Sequence, residues 1–563
     1  MQTPTSLHVF LLFVISLFSE VWGQAPYDPS PFDIIGTING MTLDPSGGTL
    51  AGGSITIDGL AITVPKNLLA TLPAITVAWG ELFNNGVPDL PGGISWQAHV
   101  QGNRVNDQYI AGLVYITQNF AQTTQGFINH IDVATGHFRL GGVMGSVTSG
   151  IDCVINDPVG RYALPYTANP LWGSDPDNPS IHTVHGFPVC IPRSANDPLC
   201  PAKNRPLGAA GKPSTAFTFK DPATVTATDP DPRFMVPLVE GDYVTVTGVE
   251  VGGGLLAVNA LTANLGIFTA PGTKPAYVTC ESALFGIVSG NGAGEIPETR
   301  AVAWTTDPTT TLQWFAIDVD PCTGAATERN ILLMQPNDGV AAVPKGRAVY
   351  RMGKTAVTPA TRQVGFRLSD GTSPGASNIT AGQFIQPIFD YVFPELLSVG
   401  NPTLPNAFDV IPYLSKGGGP YVPGKPGAAS PATPVVVGQL SPWPGAPIPA
   451  ATVCPVPTAP PPASPPVNPT PAPSPTPGTS KDIVTISSAS QKAQRGAITV
   501  TVNAVTNDLT AVLQLSVAGP NPISNQNMIN NGGGSFSLSV NVKSKPTSVT
   551  VTSNHGGSAS QAI

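Results

Sequence analysis

Alternation of apolar and polar residues is the main pattern along this chain of 563 residues. Residues 54–64 alternate on both sides of Asp58-Gly59, a dipeptide typical of tight turns, which predicts a β-hairpin. Residues 126–142 show the same arrangement around Thr135-Gly136. Only residues 383–393 repeat apolar positions at helical spacing, so a short helix is predicted there. The chain is therefore expected to be mainly β.

The alternating stretches fall into separate regions along the chain. They predict a mainly β fold of tandem small β-barrel or sandwich units, followed by a proline-rich linker and a C-terminal β-sandwich. The expected organisation is a signal peptide over 1–23, a β-domain over 24–149, an irregular proline-rich, disulfide-pinned segment over 150–235, a second β-domain over 236–400, a linker over 401–480 and the sandwich over 481–563.

Composition supports short strands and many turns. The chain has 60 glycines and 62 prolines, and only 11% of its residues are charged, against about 25% in an average soluble protein. Residues 455–480 include 12 prolines in 26 positions, which favours extended polyproline II structure. The net charge is −8 and no basic cluster is present, so a nucleic-acid partner is not expected.

The N-terminus has the pattern of a secretory signal. An unbroken apolar run extends from Val9 to Phe18. Ten residues are too few to span a bilayer, which needs about 20. Cleavage is expected after Gly23. We therefore expect a secreted protein, extracellular or associated with a cell wall, with no membrane span in the mature chain.

An even number of cysteines behind a signal peptide favours disulfides. Six cysteines allow fifteen pairings, and the sequence does not choose among them. The preferred pairs are Cys190–Cys200, Cys280–Cys322 and Cys153–Cys454. Asn378-Ile379-Thr380 is a usable N-glycosylation sequon.

Several ionisable groups are candidates for metal or catalytic sites. His182 and His185 are the best metal candidates, with Asp175 and Asp177 as possible oxygen ligands, although the proline-rich surroundings favour ordinary loop residues. Calcium binding by the Asp175/Asp177 and Asp229/Asp231 pairs is weighed against Asp-Pro turns, which are favoured. The carboxylates of Asp318 and Asp320 are weighed as an acid–base pair against a solvated strand end, which is favoured. No catalytic residue and no cofactor is predicted.

Tryptophans are the side chains most suggestive of ligand contact. Trp79, Trp96, Trp304 and Trp314 are expected in the cores of the β-units. Trp172 and Trp443 lie in proline-rich loops and are expected to be exposed, where they could stack on sugar rings.

Two regions resemble known groups of proteins. Ile498–Val502 and Val549–Ser553, followed by Gly556-Gly557, resemble the immunoglobulin-like domains appended to secreted bacterial and fungal proteins. The body, with Gly36–Gly40, Gly59–Pro65 and the stretch 126–142, resembles secreted fungal proteins built from small, OB-like barrel units. Because that group has no established activity, the resemblance implies a location and a fold and no reaction.

These observations favour a secreted, non-enzymatic protein of a cell surface or extracellular matrix, adhesive or contacting glycans. Cell-wall polysaccharide or surface glycans would be its partners. One alternative is an extracellular polysaccharide-active enzyme with a C-terminal accessory module. Another is a secreted factor that acts on a host or a neighbouring cell.

Overall fold

Short strands joined by tight turns dominate the computed structural model, with 48% strand and 5% helix among the residues that the structure describes. The predicted mainly β fold class is confirmed. The structure describes residues 28–563 except 46–47, 92–94, 119–122, 209, 288–297, 337–344, 352–358, 395–402, 425–432, 455–481, 495–496, 509–510, 521, 533–534 and 543–544. The predicted signal peptide therefore lies outside the described residues.

The chain divides into two compact units. One contains the described residues up to Trp314, together with Val319–Gly324 and Leu333–Val453; the other contains Phe315–Asp318, Ala325–Leu332 and the described residues from Cys454 onward. No helix among the described residues is long and apolar enough to cross a membrane.

The first β-unit is a small barrel. Its strands are β1 (Ser30–Leu43), β2 (Gly53–Ile57), β3 (Leu60–Val64), β4 (Leu69–Thr71), β5 (Thr76–Ala78), β6 (Phe83–Asn84), β7 (Val87–Pro88), β8 (Gln97–Val105) and β9 (Gln108–Thr117). The main sheet has the order β3-β2-β1-β8-β9-β4-β5, and a β3–β9 pairing closes five of these strands into an OB-like barrel. The predicted hairpin is β2–β3, and its turn residues Asp58 and Gly59 both have positive φ, as this turn type requires.

A second barrel follows the same plan. Its strands are β10 (Thr123–Asp132), β11 (His137–Leu140), β12 (Ile151–Ile155), β13 (Ile181–Thr183), β14 (Val189–Cys190), β15 (Ala216–Thr218), β16 (Val236–Pro237), β17 (Tyr243–Glu250), β18 (Leu255–Ala263) and β19 (Gly266–Phe268). The sheet order is β12-β11-β10-β17-β18-β13, closed by β12–β18. This sheet joins strands from both sides of the predicted boundaries at 149 and 236. The irregular segment between them contributes Tyr162, Phe187 and Ile191 to the barrel core.

Ten further strands form the next β-unit. They are β20 (Val278–Gly286), β21 (Arg300–Thr305), β22 (Leu312–Val319), β23 (Ala326–Met334), β24 (Arg347–Arg351), β25 (Gln363–Leu368), β26 (Ser373–Pro374), β27 (Thr380–Ala381), β28 (Gln383–Pro387) and β29 (Asp390–Val392). The predicted helix over 383–393 is wrong, because these residues form β28 and β29. Phe384 pairs with Phe366 of β25, and a helix between Gly382, which has φ +86°, and Pro387 would be too short to repay its nucleation.

The described residues after this unit form what we call the strap, residues 403–424 and 433–453. It contains the short helices Phe408–Val410 and Pro412–Ser415 and the strand pair β30 (Gly419–Tyr421) and β31 (Val435–Val437). Phe408, Leu414 and Trp443 of the strap are buried. The strap lies within the predicted linker 401–480 but packs as part of the body, which corrects that boundary. The proline-rich residues 455–480 lie outside the described residues.

The C-terminal residues form a β-sandwich. Its strands are β32 (Val484–Gln494), β33 (Ala497–Thr506), β34 (Leu513–Ala518), β35 (Ile523–Asn527), β36 (Ile529–Gly532), β37 (Ser535–Val542), β38 (Ser548–Ser553) and β39 (Ser558–Ala562). The two sheets have the orders β32-β33-β37-β36 and β35-β34-β38-β39. These are the ABED and C′CFG orders of an immunoglobulin-like fold. Val500, Leu515 and Phe536 lie in its core.

The disulfides differ in part from the preferred pairs. Cys190 and Cys200 are bonded as predicted. Cys153 and Cys280 are free thiols, whereas Cys322 and Cys454 are disulfide-bonded, so the predicted pairs Cys280–Cys322 and Cys153–Cys454 are wrong. Cys153 lies on β12 with its side chain inside the second barrel, where it is fully buried. It therefore acts as a small apolar core residue.

Packing of the strap depends on a glycine of the first barrel. A Cβ added at Gly112 would lie 2.3 Å from a ring carbon of Phe408. We expect Gly112→Ala to lower the free energy of unfolding by about 1–3 kcal/mol, measured by denaturant titration. Gly40→Ala is the matched control, because a Cβ there meets nothing within 4 Å. Equal stability of the two variants would contradict the packing described.

Thiol counting tests the corrected disulfide assignment. Burial raises the pKa of Cys153 to about 12 and also raises the pKa of Cys280, so both thiols should react slowly in the native protein. In denaturant without reductant, a chromogenic thiol reagent should detect two thiols per chain. Finding none would restore the prediction that all six cysteines are paired.

Candidate binding clefts on the first barrel

The strap is held to the first barrel by a buried amide. Asn103 of β8 is fully buried, and its Nδ2 donates hydrogen bonds to the carbonyl oxygens of Asn406 (2.9 Å) and Pro444 (2.7 Å). Its Oδ1 accepts a hydrogen bond from the backbone N–H of Asn406 at 2.8 Å. One side chain thus joins two distant parts of the strap to the same strand.

Further contacts secure the ends of the strap. The backbone of Lys66 pairs with Ser441 in an antiparallel bridge. The hydroxyl of Tyr421 donates to Oε2 of Glu81 at 2.5 Å, and the N–H of Gly424 donates to Oε1 at 2.7 Å. A carboxylate that accepts two such bonds holds this end of the strap by charge-assisted contacts.

An open cleft of about 390 Å³ lies where the two parts of the strap cross the barrel. Its lining is mostly proline, aromatic and amide groups: Asn103, Leu404, Pro405, Asn406, Ala407, Phe408, Asp409, Trp443, Pro444, Gly445, Ala446, Pro447 and Pro449. Asp409 is the one ionisable residue in this lining. We call this space the strap cleft.

A second, smaller space lies on the outer face of the same barrel. It has room for about 30 Å³ and is lined by Leu69, Thr71, Thr76, His99, Gln101, Leu113, Val114, Tyr115, Arg362, Ile388, Phe389, Tyr391 and Tyr413. His99 and Tyr115 are cross-strand partners on β8 and β9, which places their side chains on one face. We call this space the tyrosine slot.

Hydrogen bonds order the floor of the tyrosine slot. Asp33 of β1 lies 2.7 Å from Nε2 of His99 and accepts a 2.9 Å bond from Nε2 of Gln101. The hydroxyl of Tyr413 donates to that of Tyr391 at 3.1 Å, and Tyr391 donates to the carbonyl oxygen of Thr361 at 2.6 Å. These hydrogen bonds fix the positions of the polar side chains that line the slot.

The predicted metal candidates are engaged in local structure. Nδ1 of His182 lies 2.6 Å from the carbonyl oxygen of Thr183, and Nε2 of His185 lies 2.9 Å from that of Lys345. Burial lowers the pKa of both imidazoles. In the described part of the chain, no group of three His, Cys, Asp or Glu side chains is placed to hold a metal ion.

The aspartates near proline serve their own turns. Asp175 accepts from the backbone N–H groups of Asp177 and Asn178, at 2.8 and 3.1 Å. Asp229 accepts from Lys220 at 2.6 Å, and Asp231 accepts from Nη2 of Arg233 at 2.7 Å. These are the side chain-to-backbone and ion-pair contacts of Asp-Pro turns.

Asp318 and Asp320 have separate structural partners. Asp318 forms a two-pronged ion pair with Arg329, with distances of 2.6 and 3.0 Å. Asp320 accepts from the backbone N–H groups of Cys322 and Thr323, which lowers its pKa. Each carboxylate is thus satisfied by its own turn or neighbouring strand.

Tryptophan exposure differs from the expectation. Trp172 and Trp443, expected to be exposed, are only 0% and 5% exposed, because aromatic rings in proline-rich loops here pack inward. Trp304, expected in a core, is partly exposed. Its ring lies beside the Arg347 guanidinium, 5.6 Å away, and its Nε1 donates to Glu281 at 2.8 Å.

Asn378 is exposed, so N-glycosylation stays a prediction.

Sequence reasoning missed the residues that build the two spaces. Asn103 occurs among alternating polar residues of a strand, and Arg362 and Tyr413 lie outside every predicted motif. The sequence shows a polar residue within a strand, Asn103, and a proline- and tryptophan-containing segment far downstream. This pattern does not reveal that the two are hydrogen-bonded to each other.

No protein-family model matches the sequence, and no curated protein matches it. Among solved structures, the crystal structure of the exo-chitosanase CsxA of Amycolatopsis orientalis matches 61% of this chain with 10% sequence identity and a TM-score of 0.14. The match spans 32% of that protein's length. Because the TM-score is so low, no argument about fold or activity follows from it.

Asp175 should make stability depend on pH. Burial raises its pKa to about 6 from an ordinary 3.8, so between these values the folded protein holds a proton that the unfolded chain has lost. Stability should therefore fall as pH rises from about 4 to 6, by on the order of 2 kcal/mol, and then stay level with respect to this group. Asp175→Asn should remove this component of the pH dependence in denaturant titrations. An unchanged pH profile in the variant would contradict the raised pKa.

Proposed function

We propose that this protein is a secreted, non-enzymatic binding protein of the extracellular space or cell wall that contacts neutral glycans through the strap cleft. The observation that carries the proposal is the lining of that cleft. Its volume of about 390 Å³ falls in the usual range of about 300–1,000 Å³ for ligand sites.

The walls of the strap cleft suit a ligand rich in hydroxyl groups. Four of its lining residues are proline, which has a carbonyl oxygen and no N–H. The oxygens of Pro444 and Pro449 already accept side-chain amides of the protein. The oxygens of Pro405 and Pro447 have no such partner among the described residues, and sugar hydroxyls could donate to them. Apolar contact with Leu404, Phe408 and Trp443 would accompany these bonds, as in most small-ligand sites.

The charges in the strap cleft favour binding over hydrolysis. Most glycosidases use two carboxyl groups on either side of the scissile bond, whereas Asp409 is the one carboxylate in this lining. Small OB-like barrels are known to carry oligosaccharide sites, which is an analogy of fold and supports the proposal only at that level.

Secretion is part of the proposal. The N-terminal apolar run is typical of a signal peptide, and the Cys190–Cys200 disulfide is of the kind that persists in oxidising compartments. N-glycosylation at the exposed Asn378 belongs to the same proposal.

Retention of the purified full-length protein on insoluble chitin, β-glucan and cellulose tests this function. We expect retention on at least one of them, and we expect Ala446→Trp to reduce the bound fraction about tenfold or more by filling the cleft. Ala446 is exposed in the lining. Ala134→Trp, at an exposed turn of the second barrel, is the matched control and should bind as the wild type does.

Two results would contradict the proposal. Absence of retention on all three polysaccharides would remove glycan binding. Equal retention of the Ala446→Trp and Ala134→Trp proteins would place glycan binding outside the strap cleft.

A further inference from the structure

The tyrosine slot contains an arginine without a counter-ion among the described residues. Arg362 precedes β25, and its backbone oxygen accepts a hydrogen bond from the N–H of Ile388 at 2.9 Å. Arg362 is among the residues that line the slot. No described carboxylate lies within ion-pair distance of it, and no described group hydrogen-bonds to it.

The surroundings of Arg362 are aromatic. Tyr115 and Phe389 meet edge to face with ring centroids 5.7 Å apart, and Tyr391 and Tyr413 complete the wall. Burial raises the pKa of Tyr413 to about 12, and the charge of Arg362 opposes that rise. The charge of Arg362 likewise opposes the rise in the pKa of Tyr391 that burial causes. The guanidinium therefore lies near both hydroxyls.

Three carboxylates near the slot are already engaged or lie outside its lining. Glu81 accepts from Tyr421, on which the charge of Arg362 also acts, and from Gly424, and it does not line the slot. Asp33 is bonded to His99 and Gln101. Asp390 acts on Tyr115 through its charge and does not line the slot. A partly buried guanidinium without a hydrogen-bonded anion retains a desolvation cost that an anionic ligand would offset.

We propose that the tyrosine slot binds a single carboxylate group through the guanidinium of Arg362. The ligand class is a molecule that ends in one carboxylate, such as an acidic sugar or the C-terminus of a peptide. The planar guanidinium suits a carboxylate, which it can bind through two parallel hydrogen bonds. The space of about 30 Å³ admits a group of this size, and the rest of the ligand would extend through the mouth of the slot. This inference stands independently of glycan binding in the strap cleft.

The test measures the melting temperature of the full-length protein with matched small ligands. Acetate should raise it in a concentration-dependent way, because a ligand that binds the folded state stabilises it. Acetamide has the same shape without the charge and should have no effect, and sodium chloride at equal ionic strength controls for screening. Glucuronate and N-acetylglycine form two further arms, and the stronger of the two identifies the source of the carboxylate.

Two variants locate the effect. Arg362→Met should weaken acetate binding by roughly tenfold or more, and Arg362→Lys should weaken it less because the charge remains without the planar fork. Lys212→Met is the control, since it removes one positive charge at an exposed residue away from the slot. If Arg362→Met does not fold, the acetate response of Arg362→Lys alone tests the role of Arg362.

No response of the wild type to any carboxylate, or an equal response in the wild type and both Arg362 variants, would overturn the proposal. Neither result bears on retention by the strap cleft.

Discussion

The buried amide of Asn103 is the contact on which the candidate sites depend. It is fully buried and makes three hydrogen bonds, two to Asn406 and one to Pro444. A buried amide left without partners costs about 1–3 kcal/mol, so the strap is held at the one position that satisfies Asn103. With both parts of the strap placed this way, the strap cleft and one wall of the tyrosine slot are formed on the first barrel.

Proline makes this arrangement possible. The strap has little regular secondary structure of its own, and its prolines lack the N–H groups that a buried irregular segment would otherwise have to satisfy. Some of its remaining polar groups bond to side chains of the barrel, such as Asn103 and Glu81, and others bond within the strap, such as the N–H groups of Lys416 and Gly418. A segment of this composition can therefore lie against a β-barrel without extending its sheet, and it leaves carbonyl oxygens available to a ligand.

Much of the fold was predictable from the sequence, because its determinants are local. Alternation at 54–64 and the Asp58-Gly59 turn predict the β2–β3 hairpin, and the alternating stretches after residue 484 predict the sandwich. The failures involve long-range contacts. Residues 383–393 have helical spacing, but pairing with β25 overrides it. Cys153 is buried in a barrel core as a free thiol. The sequence alone does not show that its side chain faces this core.

The sites were less predictable than the fold for the same reason. Composition makes residues 401–454 resemble the proline-rich residues that follow them. Long-range contacts distinguish the two, such as that of Phe408 with Gly112 and the hydrogen bonds of Asn103. Trp443 is in a proline-rich context, which suggests exposure, but the barrel surface provides a place to bury it. Arg362 is identified as a site residue only by its neighbours in three dimensions, because the sequence does not show that no carboxylate among the described residues pairs with it.

Both candidate sites require the strap to be an integral part of the body, and hydrogen–deuterium exchange of the full-length protein tests this most directly. The N–H groups of Asn406, Lys416, Gly418 and Ser441 are hydrogen-bonded. Peptides covering 403–421 and 435–443 should therefore exchange far more slowly than an unstructured chain of the same sequence. Exchange of these peptides at the unprotected rate would show that the strap is a linker and would remove both candidate sites.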